Sequence, residues 1–373
     1  MYNKNDLNVQ RFPVFSVGTI LNPFEGNFNI KNINAKYREI SILYPCRLDA
    51  MAINPAAVAY NENLRFTPGE VALSIDNFIK TKVCITNLDG GNIVISPTTK
   101  RKALIKHAYY LITKILNVNP SVYIDVNDEG IPKHCGFGSS TSIITSVVAS
   151  INELYGNPIK KKDLIRYLSS NHGEEINDSD NKLKSVQSIG GGASSGLLSF
   201  GLIVIAGSAV PIAGIKLPKT KVVIGIPKDF VALNADILMK LEEDNLWKFV
   251  KTGRKYKNII AYRLLHNAIP NMLCYDISAL SDVVFDYRFN MGSIKNCSFS
   301  YPKMVKISNQ LRGLYEEKKC KMLSLSSVGP AFFALDSVDK NIQFCKKKME
   351  EVGMRTYTYS IYNSSYKIIE RKK

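Results

Sequence analysis

Residues 131–142 read IPKHCGFGSSTS and lead directly into an amphipathic stretch that ends near Gly156. Gly136 and Gly138 allow the backbone to turn sharply and to approach a ligand closely. Three hydroxyl side chains follow where the helix is predicted to begin, namely Ser139, Ser140 and Thr141. The unpaired N–H groups and the dipole of a helix favour an anion at this end. The stretch therefore predicts a phosphate-binding loop, although a plain capped turn has the same spacing.

The loop differs from the two common nucleotide-binding fingerprints. No Gly-Lys-Ser or Gly-Lys-Thr follows it, which excludes a Walker loop, and GFGSST lacks the third glycine of a Rossmann fingerprint. Cys135, inside the loop, is interpreted as a small packing residue rather than a reactive thiol.

The segments around the loop predict a mixture of strands and helices. Short apolar runs broken by Pro and Gly across residues 41–100 are typical of strands. A glycine-rich loop at 190–196 is predicted to precede an apolar strand. Apolar residues at helical spacing predict helices over 103–117, 160–170, 235–250, 301–318 and 338–352. Because strands and helices do not alternate strictly, the expected fold class is α+β.

The chain length of 373 residues corresponds to two domains at about 100–200 residues each. We expect residues 1–215 to form an N-terminal domain that contains the loop, and residues 216–373 to form a C-terminal domain. Apolar residues make up 45% of the chain, so both domains can build a core without disulfides.

The formal net charge is +17, from 49 basic and 32 acidic side chains. Such a charge fits nucleic acid, an anionic membrane or phosphorylated metabolites. Most of the basic residues are scattered lysines, and no long basic stripe is interleaved with aromatic residues. We therefore interpret most of the excess charge as a solvated lysine-rich surface, and expect no nucleic-acid partner.

Cysteine and histidine spacing predicts neither a disulfide framework nor a zinc site. The seven cysteines include no CxxC pair, and the four histidines show no metal-ligand spacing. The N-terminus lacks a signal-peptide pattern, and the longest apolar stretch, residues 196–215, is interrupted by Gly, Ser and Pro. The expectation is a protein of the reducing cytoplasm without a membrane partner.

Three motifs together resemble those of the GHMP kinase superfamily, which includes galactokinase, homoserine kinase and mevalonate kinase. The loop is similar to the second motif of that superfamily, and SLSSVGPAFFAL (residues 324–335) is similar to the third. PCRLDAMAI and PGEVALSIDN, within residues 45–77, resemble the N-terminal motif region. The resemblance implies an N-terminal domain like the second domain of ribosomal protein S5 and a ferredoxin-like C-terminal domain. It also implies that the second and third motifs lie close together.

Two positions depart from the usual kinase pattern of the superfamily. Those kinases usually carry an Asp in a Ser-Gly-x-Asp stretch and a Glu 11 residues before it for magnesium. Here ASSGLLSFG places Leu198 at the Asp position and Gln187 at the Glu position. A leucine side chain neither accepts a proton nor binds an ion. The sequence therefore argues against phosphoryl transfer by the usual mechanism.

The chain more closely resembles beta-ribofuranosylaminobenzene 5'-phosphate synthases, which share the superfamily fold. Their loop pattern Ile-Pro-x-His-x-Gly-Leu-Gly-Ser is matched here except that Phe137 replaces Leu. Their Gln-Ser-Ser-x-Gly-Pro is similar to residues 325–330, and their Gly-rich stretch is similar to residues 190–207. The resemblance implies a reaction of phosphoribosyl diphosphate (PRPP) with an aromatic carboxylate that releases CO2 and diphosphate.

Three departures from the synthase pattern lie where an aromatic acceptor would bind. Ser142 replaces a Gln, Gly191 replaces an Arg, and residues 205–208 replace Asp-Gly-Gly-His. These changes favour a heteroaromatic carboxylate over benzoate, as in the related C-glycoside synthases of nucleoside-antibiotic pathways.

The resemblance assigns roles to residues of all three motifs. Arg47, Asp49 and Ser140 are the catalytic candidates, with Arg47 and Asp49 directed at the phosphate or ribose of the donor, and Ser140 also the candidate contact for Mg2+. The remaining candidates for substrate or phosphate binding are His134, Gly136, Phe137, Gly138, Ser139, Thr141, Gly191, Gly192, Ser194, Ser195, Ser326, Ser327 and Gly329.

Several of these residues also have a purely structural interpretation. Arg47 and Asp49 would then form an ion pair on one strand face, and His134 would brace the loop. The run from His172 to Glu175 either supplies an acid or metal ligand or, as we favour, ends a helix in solvent. For the whole protein, an ATP-dependent small-molecule kinase and a non-catalytic binding protein remain alternatives. A homodimer is compatible with the sequence.

Overall fold

The computed structural model describes residues 12–22, 30, 33–58, 68–176, 181–185 and 190–373. Gln187, which the sequence places at the magnesium-binding position of the kinases, lies outside these residues.

The strands of the described residues are longer near the N-terminus than the sequence predicts. They are β1 (Val14–Ser16), β2 (Glu39–Ala52), β3 (Glu70–Asn87), β4 (Ile93–Ile95), β5 (Ser121–Asn127), β6 (Gly173–Glu175), β7 (Lys182–Ser185), β8 (Leu202–Ala206), β9 (Val210–Ile215), β10 (Lys221–Pro227), β11 (Met322–Leu325), β12 (Phe332–Asp336), β13 (Met354–Ser360) and β14 (Lys367–Lys372). Pro45 does not end β2, because a register shift between Pro45 and Cys46 accommodates it in the ladder with β3.

The helices include one element that the sequence predicts incorrectly. They are α1 (Lys102–Leu116), α2 (Ser139–Leu154), α3 (Lys161–Ser170), α4 (Gly190–Leu197), α5 (Ala235–Arg263), α6 (Ile269–Leu273), α7 (Ser278–Phe285), α8 (Ser293–Cys297), α9 (Met304–Leu311), α10 (Gly313–Glu316) and α11 (Asp339–Glu351). Two π-helical turns, Leu264–Ala268 and Asp286–Asn290, continue α5 and α7, and short 3-10 turns span Pro55–Val58 and Gly207–Ala209. None of the helices in the described part of the chain is long and apolar enough to span a membrane.

The glycine-rich segment is a buried helix, α4, and not the predicted loop. Its glycines allow other elements to approach closely. A Cβ at Gly196 would lie 2.2 Å from the ring of Tyr44, and one at Gly192 would lie 2.6 Å from Thr141. Tertiary packing therefore overrides the low helix propensity of glycine in this segment.

The large sheet has the order β14-β2-β3-β5-β4, and β8 and β9 extend it from β3. Its pairs are antiparallel except for β4 and β5. Helices α1 and α2 pack together, α2 and α4 contact β2 and β3, and α2 contacts α4. This arrangement holds the start of α2 against the centre of the sheet.

The C-terminal strands form a second sheet with the order β11-β12-β10-β13. The chain order is strand, helices, two strands, helix, strand, which is the β-α-β-β-α-β pattern of the ferredoxin-like fold. The predicted α+β class and the ferredoxin-like arrangement are confirmed. The last strand, β14, returns to the large sheet beside β2. The predicted division after residue 215 stays a prediction.

Candidate functional site

The hydroxyl-rich loop turns through three residues with positive φ before α2 begins. The φ angles are 53° at His134, 94° at Gly136 and 65° at Gly138, which is the N-cap of α2. A Cβ at Gly136 would lie 2.4 Å from the Ser326 carbonyl oxygen, and one at Gly138 would lie 2.9 Å from Arg47 Cγ. Both glycines are therefore required by conformation and by close packing.

A second turn, at Ser326 and Ser327, lies directly against the loop. Ser326 Oγ donates to the Gly136 carbonyl oxygen at 2.7 Å and accepts from the Asp49 N–H at 3.1 Å. The N–H of Ser327 donates to the Asp49 carbonyl oxygen at 3.1 Å, and the N–H of Gly329 donates to the Ser326 carbonyl oxygen at 2.8 Å. The two turns and strand β2 thus form one hydrogen-bonded unit, as the resemblance implied.

An ion-pair cluster lies beside the first turn of α2. Arg101 donates from Nη1 to Ser139 Oγ at 3.1 Å and from Nη2 to Ser140 Oγ at 2.5 Å. The same guanidinium contacts Glu174 through Nη2 and Glu175 through Nε, the latter at 2.9 Å. Ser140 Oγ in turn donates to the Glu174 carboxylate. The cluster fixes the Ser140 hydroxyl between a cation and an anion.

The charges of this cluster shift its pKa values in opposite directions. Burial alone would raise the pKa of Glu174, but Arg101, the two nearby histidines His172 and His134, and the hydrogen bond from Ser140 together hold that pKa below its usual value. Burial raises the pKa of Glu175 despite its contact with Arg101. Burial also lowers the pKa of His134, which favours the neutral imidazole in the loop.

Arg47 lies under the loop and faces a second carboxylate. Its Nη1 donates to the Gly136 carbonyl oxygen at 3.4 Å, and its backbone N–H donates to that of Phe137 at 3.2 Å. Its Nε lies 3.9 Å from Glu70 Oε2, while Glu70 Oε1 accepts from the N–H of Gly191 at 2.5 Å. Glu70 therefore joins Arg47 to the first turn of α4.

Asp49 faces a different set of partners. Its carboxylate Oδ1 lies 3.9 Å from Nη2 of Arg288. The same Nη2 donates a hydrogen bond to the Asp49 carbonyl oxygen at 3.1 Å. Within the described residues, Arg47 and Asp49 are therefore paired with other side chains and not with each other. The structural alternative, an ion pair between Arg47 and Asp49, is not observed.

Comparisons with known proteins give the fold a family context. The family model described as the GHMP kinases N terminal domain matches residues 103–181. No curated protein sequence matches the chain significantly. Among solved structures, homoserine kinase from Cytophaga hutchinsonii is 15% identical, with 91% of this chain and 100% of that chain covered and a TM-score of 0.55. This protein has the GHMP-kinase fold.

Two further solved structures show the same fold at similar distance. Mevalonate diphosphate decarboxylase from Staphylococcus aureus is 14% identical and covers 89% of this chain and 98% of its own, with a TM-score of 0.60. Mevalonate kinase from L. major, in complex with R-mevalonate, is 12% identical and covers 90% of this chain and 100% of its own, with a TM-score of 0.56. Identities this low establish the shared fold alone.

Within this GHMP fold, some of the predicted site residues lie together at the loop, whereas others are buried in the core. The loop residues and the Ser326 turn lie together, and Thr141 packs against Gly192. Phe137 is buried in the core. Ser194 and Ser195 are also fully buried in α4, where Ser195 Oγ donates to the Gly191 carbonyl oxygen at 2.7 Å. The hydroxyl of Ser195 is thus committed to the helix.

Sequence reasoning missed Arg101 and Arg288 and misjudged Glu174. Arg101 lies between Lys100 and Lys102 just before a predicted helix and belongs to no motif. The run from His172 to Glu175 was interpreted as a helix end in solvent, but Glu174 belongs to β6 and only 14% of its side chain is exposed. That interpretation is wrong, because β6 brings Glu174 against Ser140.

Oxygen donors suited to Mg2+ are present at the start of α2. Among the described residues there is no cluster of three or more His, Cys, Asp or Glu side chains that could hold a metal alone. Ser140 Oγ and the Glu174 carboxylate are nonetheless adjacent hard oxygen donors. Magnesium commonly binds through one or two carboxylates together with substrate phosphates. Both donors also contact the Arg101 guanidinium, so they fit Mg2+ only together with substrate phosphate oxygens that complete its ligands and offset the added positive charge.

Two cavities adjoin this unit. One, of about 450 Å3, precedes the loop and is bordered by Lys100, Asp125, Asp128 and Lys133. The other, of about 80 Å3, is bordered by Asp49, Arg288 and Ser327 together with α5. The unit of loop and turns therefore has open space on two sides.

Two buried histidines near the site predict a loss of stability in mild acid. Burial lowers the pKa of His172 and of His107 to about 4, from an unfolded value of about 6.5. Because the folded pKa lies below the unfolded one, protonation favours unfolding, and stability present above pH 6.5 is lost as the pH falls toward 4. A shift of about 2.5 pKa units corresponds to about 3 kcal/mol for each histidine.

Urea unfolding at pH 7, 5.5 and 4 measures this loss. We expect the free energy of unfolding to fall less steeply in His172→Gln than in the wild type. His266→Gln is the control, because His266 is exposed. The same pH dependence in all three proteins would show that buried His172 is not responsible.

Proposed function

We propose that the protein is a PRPP-dependent, decarboxylative C-glycoside synthase that joins ribose 5-phosphate to a heteroaromatic carboxylate. The observation that carries this proposal is an intact anion-binding loop combined with Leu198 where the superfamily kinases carry an Asp. Leu198 is half-buried and packs against the hydrophobic core. Its side chain cannot remove a proton from a hydroxyl group, whereas a decarboxylative reaction needs no such base.

The reaction requires a stabilised leaving group. The diphosphate departs from C1 of ribose with the bonding electron pair, and the ring carbon that carries the carboxylate forms the new bond to C1. Loss of CO2 returns its bonding pair to the ring and restores aromaticity. The N–H groups at the start of α2 and the hydroxyls of Ser139 and Thr141 are suited to stabilise the departing diphosphate.

Ser140 and Glu174 are proposed to hold Mg2+ together with the substrate phosphates. The ion would supply charge neutralisation of the leaving group. Arg101 contributes to the lowered pKa of Glu174 and holds the Ser140 hydroxyl in place. Lys100 and Lys133 border the larger cavity, where Asp125, Asp128 and Glu129 offset their charge.

An ATP-dependent small-molecule kinase is the second candidate. Two of the solved structures with this fold are named as kinases of homoserine and mevalonate. Asp49 and Glu242 border the small cavity, so either carboxylate is available as a relocated base. The two candidates differ in the donor that they bind.

Calorimetry with the full-length chain tests the donor. We expect PRPP to bind in the presence of Mg2+ and ATP to bind at least about 10-fold more weakly, since each missing charge-assisted contact costs about 1.5–3 kcal/mol. Glu174→Gln should weaken PRPP binding and reduce its dependence on Mg2+. Tight ATP binding without PRPP binding would reject the synthase and favour the kinase.

A further inference from the structure

The small cavity is a second polar site next to the loop. Its wall combines Asp49 and Ser327 from the N-terminal motif and second turn with Glu242, Tyr287 and Arg288 from the helical segment between β10 and β11. Asp49 is linked to the loop through Ser326, which bonds to both. The cavity therefore lies where a second substrate would meet a donor that is held by the loop.

A carboxylate oxygen of Asp49 is unsatisfied at this cavity. Asp49 is 8% exposed, and its Oδ1 has no hydrogen-bond partner among the described residues. A buried polar oxygen without a donor is costly, and such groups are found satisfied in most proteins. Oδ1 lies 3.9 Å from Arg288 Nη2 but accepts no hydrogen bond, so Asp49 keeps an available acceptor beside the cavity.

The arginine beside Asp49 is already occupied by the protein. Arg288 Nε donates to the Ala50 carbonyl oxygen at 2.7 Å, and Nη1 donates to the Ser327 carbonyl oxygen at 2.9 Å and to Ser293 Oγ at 3.2 Å. Nη2 donates to the Asp49 carbonyl oxygen at 3.1 Å. The guanidinium therefore has no free pair of adjacent N–H groups for a ligand carboxylate. It holds the wall of the cavity in place.

Glu242 supplies a second oxygen group on the opposite element, α5. Burial, together with the neighbouring charge of Glu243, raises the pKa of Glu242 to about 7. A carboxyl group that is partly protonated at neutral pH can both donate and accept a hydrogen bond. Phe249 and Tyr287 also line the cavity and add aromatic surface to it.

We infer that this cavity selects the acceptor of the proposed reaction, a small heteroaromatic carboxylate whose ring N–H or amino group donates to Asp49. The ring carbon that carries the carboxylate then faces the loop, and the opposite edge of the ring faces Asp49 and Glu242. This inference rests on the proposed function for the reaction. It concerns Asp49 and Glu242 as residues that determine specificity.

A matched pair of rings tests the inference by calorimetry on the full-length chain. Pyrrole-3-carboxylate and furan-3-carboxylate have nearly the same shape. The pyrrole carries an N–H group at the ring position where the furan carries an oxygen atom. We expect the wild type to bind the pyrrole about 10- to 100-fold more tightly, as a hydrogen bond to a buried charged group predicts. Asp49→Ala, which leaves the backbone hydrogen bonds of Asp49 available, should remove this preference.

Glu242→Ala provides a second variant in case Asp49→Ala does not fold, and it should reduce the preference by about 3-fold or more because it removes a second oxygen that can accept from the ring N–H. Asp244→Asn, an exposed position on the same helix, should leave it unchanged. Equal affinity of the wild type for the two rings, or no measurable affinity for either, would overturn the inference. PRPP binding without ring discrimination would overturn this inference alone, and ring discrimination without PRPP binding would overturn the proposed function alone.

Discussion

Replacing Gly138 by Val is expected to reduce the affinity for PRPP by at least about 100-fold, the cost of losing one preorganised oxyanion donor. The N-cap residue has a φ of 65°, which a β-branched side chain rarely adopts. A Cβ there would also lie 2.9 Å from Arg47 Cγ, so the loop and Arg47 cannot both keep their positions. The N–H groups at the start of α2 would then no longer point at one diphosphate.

A matched control separates this local effect from general backbone strain. Gly353 has a φ of 85°, and a Cβ there would meet no atom within 4 Å. Gly353→Val should therefore lower the melting temperature without changing the affinity for PRPP, measured by calorimetry.

Ser140→Ala should weaken PRPP binding by about 10-fold, because it removes one charge-assisted contact but keeps the backbone N–H. Unchanged binding in both Gly138→Val and Ser140→Ala would mean that the loop does not bind the phosphates.

Replacing Arg288 by Ala is expected to lower the free energy of unfolding by about 3–5 kcal/mol, as removal of one partner of a buried ion pair does. Arg288 is 2% exposed and makes four hydrogen bonds, which join β2 to the Ser327 turn and to Ser293. Its loss leaves the Asp49 carboxylate buried without a nearby cation. Urea denaturation monitored by circular dichroism measures the change.

Arg263→Ala is the control for Arg288→Ala. Arg263 Nη1 lies 2.5 Å from Asp286 Oδ2, but a quarter of its side chain is exposed. Pairs of this kind contribute at most about 1 kcal/mol. If Arg288→Ala destabilises the protein no more than Arg263→Ala does, then Arg288 does not hold the second turn against β2.

The loop, the second turn and the fold class follow from local sequence patterns. Gly136 and Gly138 mark a turn that few other residues adopt, and the hydroxyl run after them marks a helix start. The helix over 338–352 was likewise predicted and is observed as α11. These features depend on neighbours within a few residues, which the sequence displays directly.

The helix α4 and the partners of Ser140 could not be predicted from local sequence patterns. Glycine disfavours a helix in isolation, yet α4 needs glycine at 192 and 196 because Thr141 and Tyr44 leave no room for a larger side chain. Glu174 is 34 residues from Ser140 and 73 from Arg101, and Arg288 is 239 from Asp49. No periodicity along the chain encodes contacts at such separations.

The sequence by itself therefore predicted where an anion would bind, because glycine conformation and a helix N-terminus are local properties of residues 131–142. The tertiary structure alone decided which charges surround that predicted site. It brings Arg101 and Glu174 to one end of α2 and Asp49, Glu242 and Arg288 to the adjoining cavity. The physical reason is that charge pairs and unsatisfied oxygens are set by distances across the folded core, where burial strengthens them.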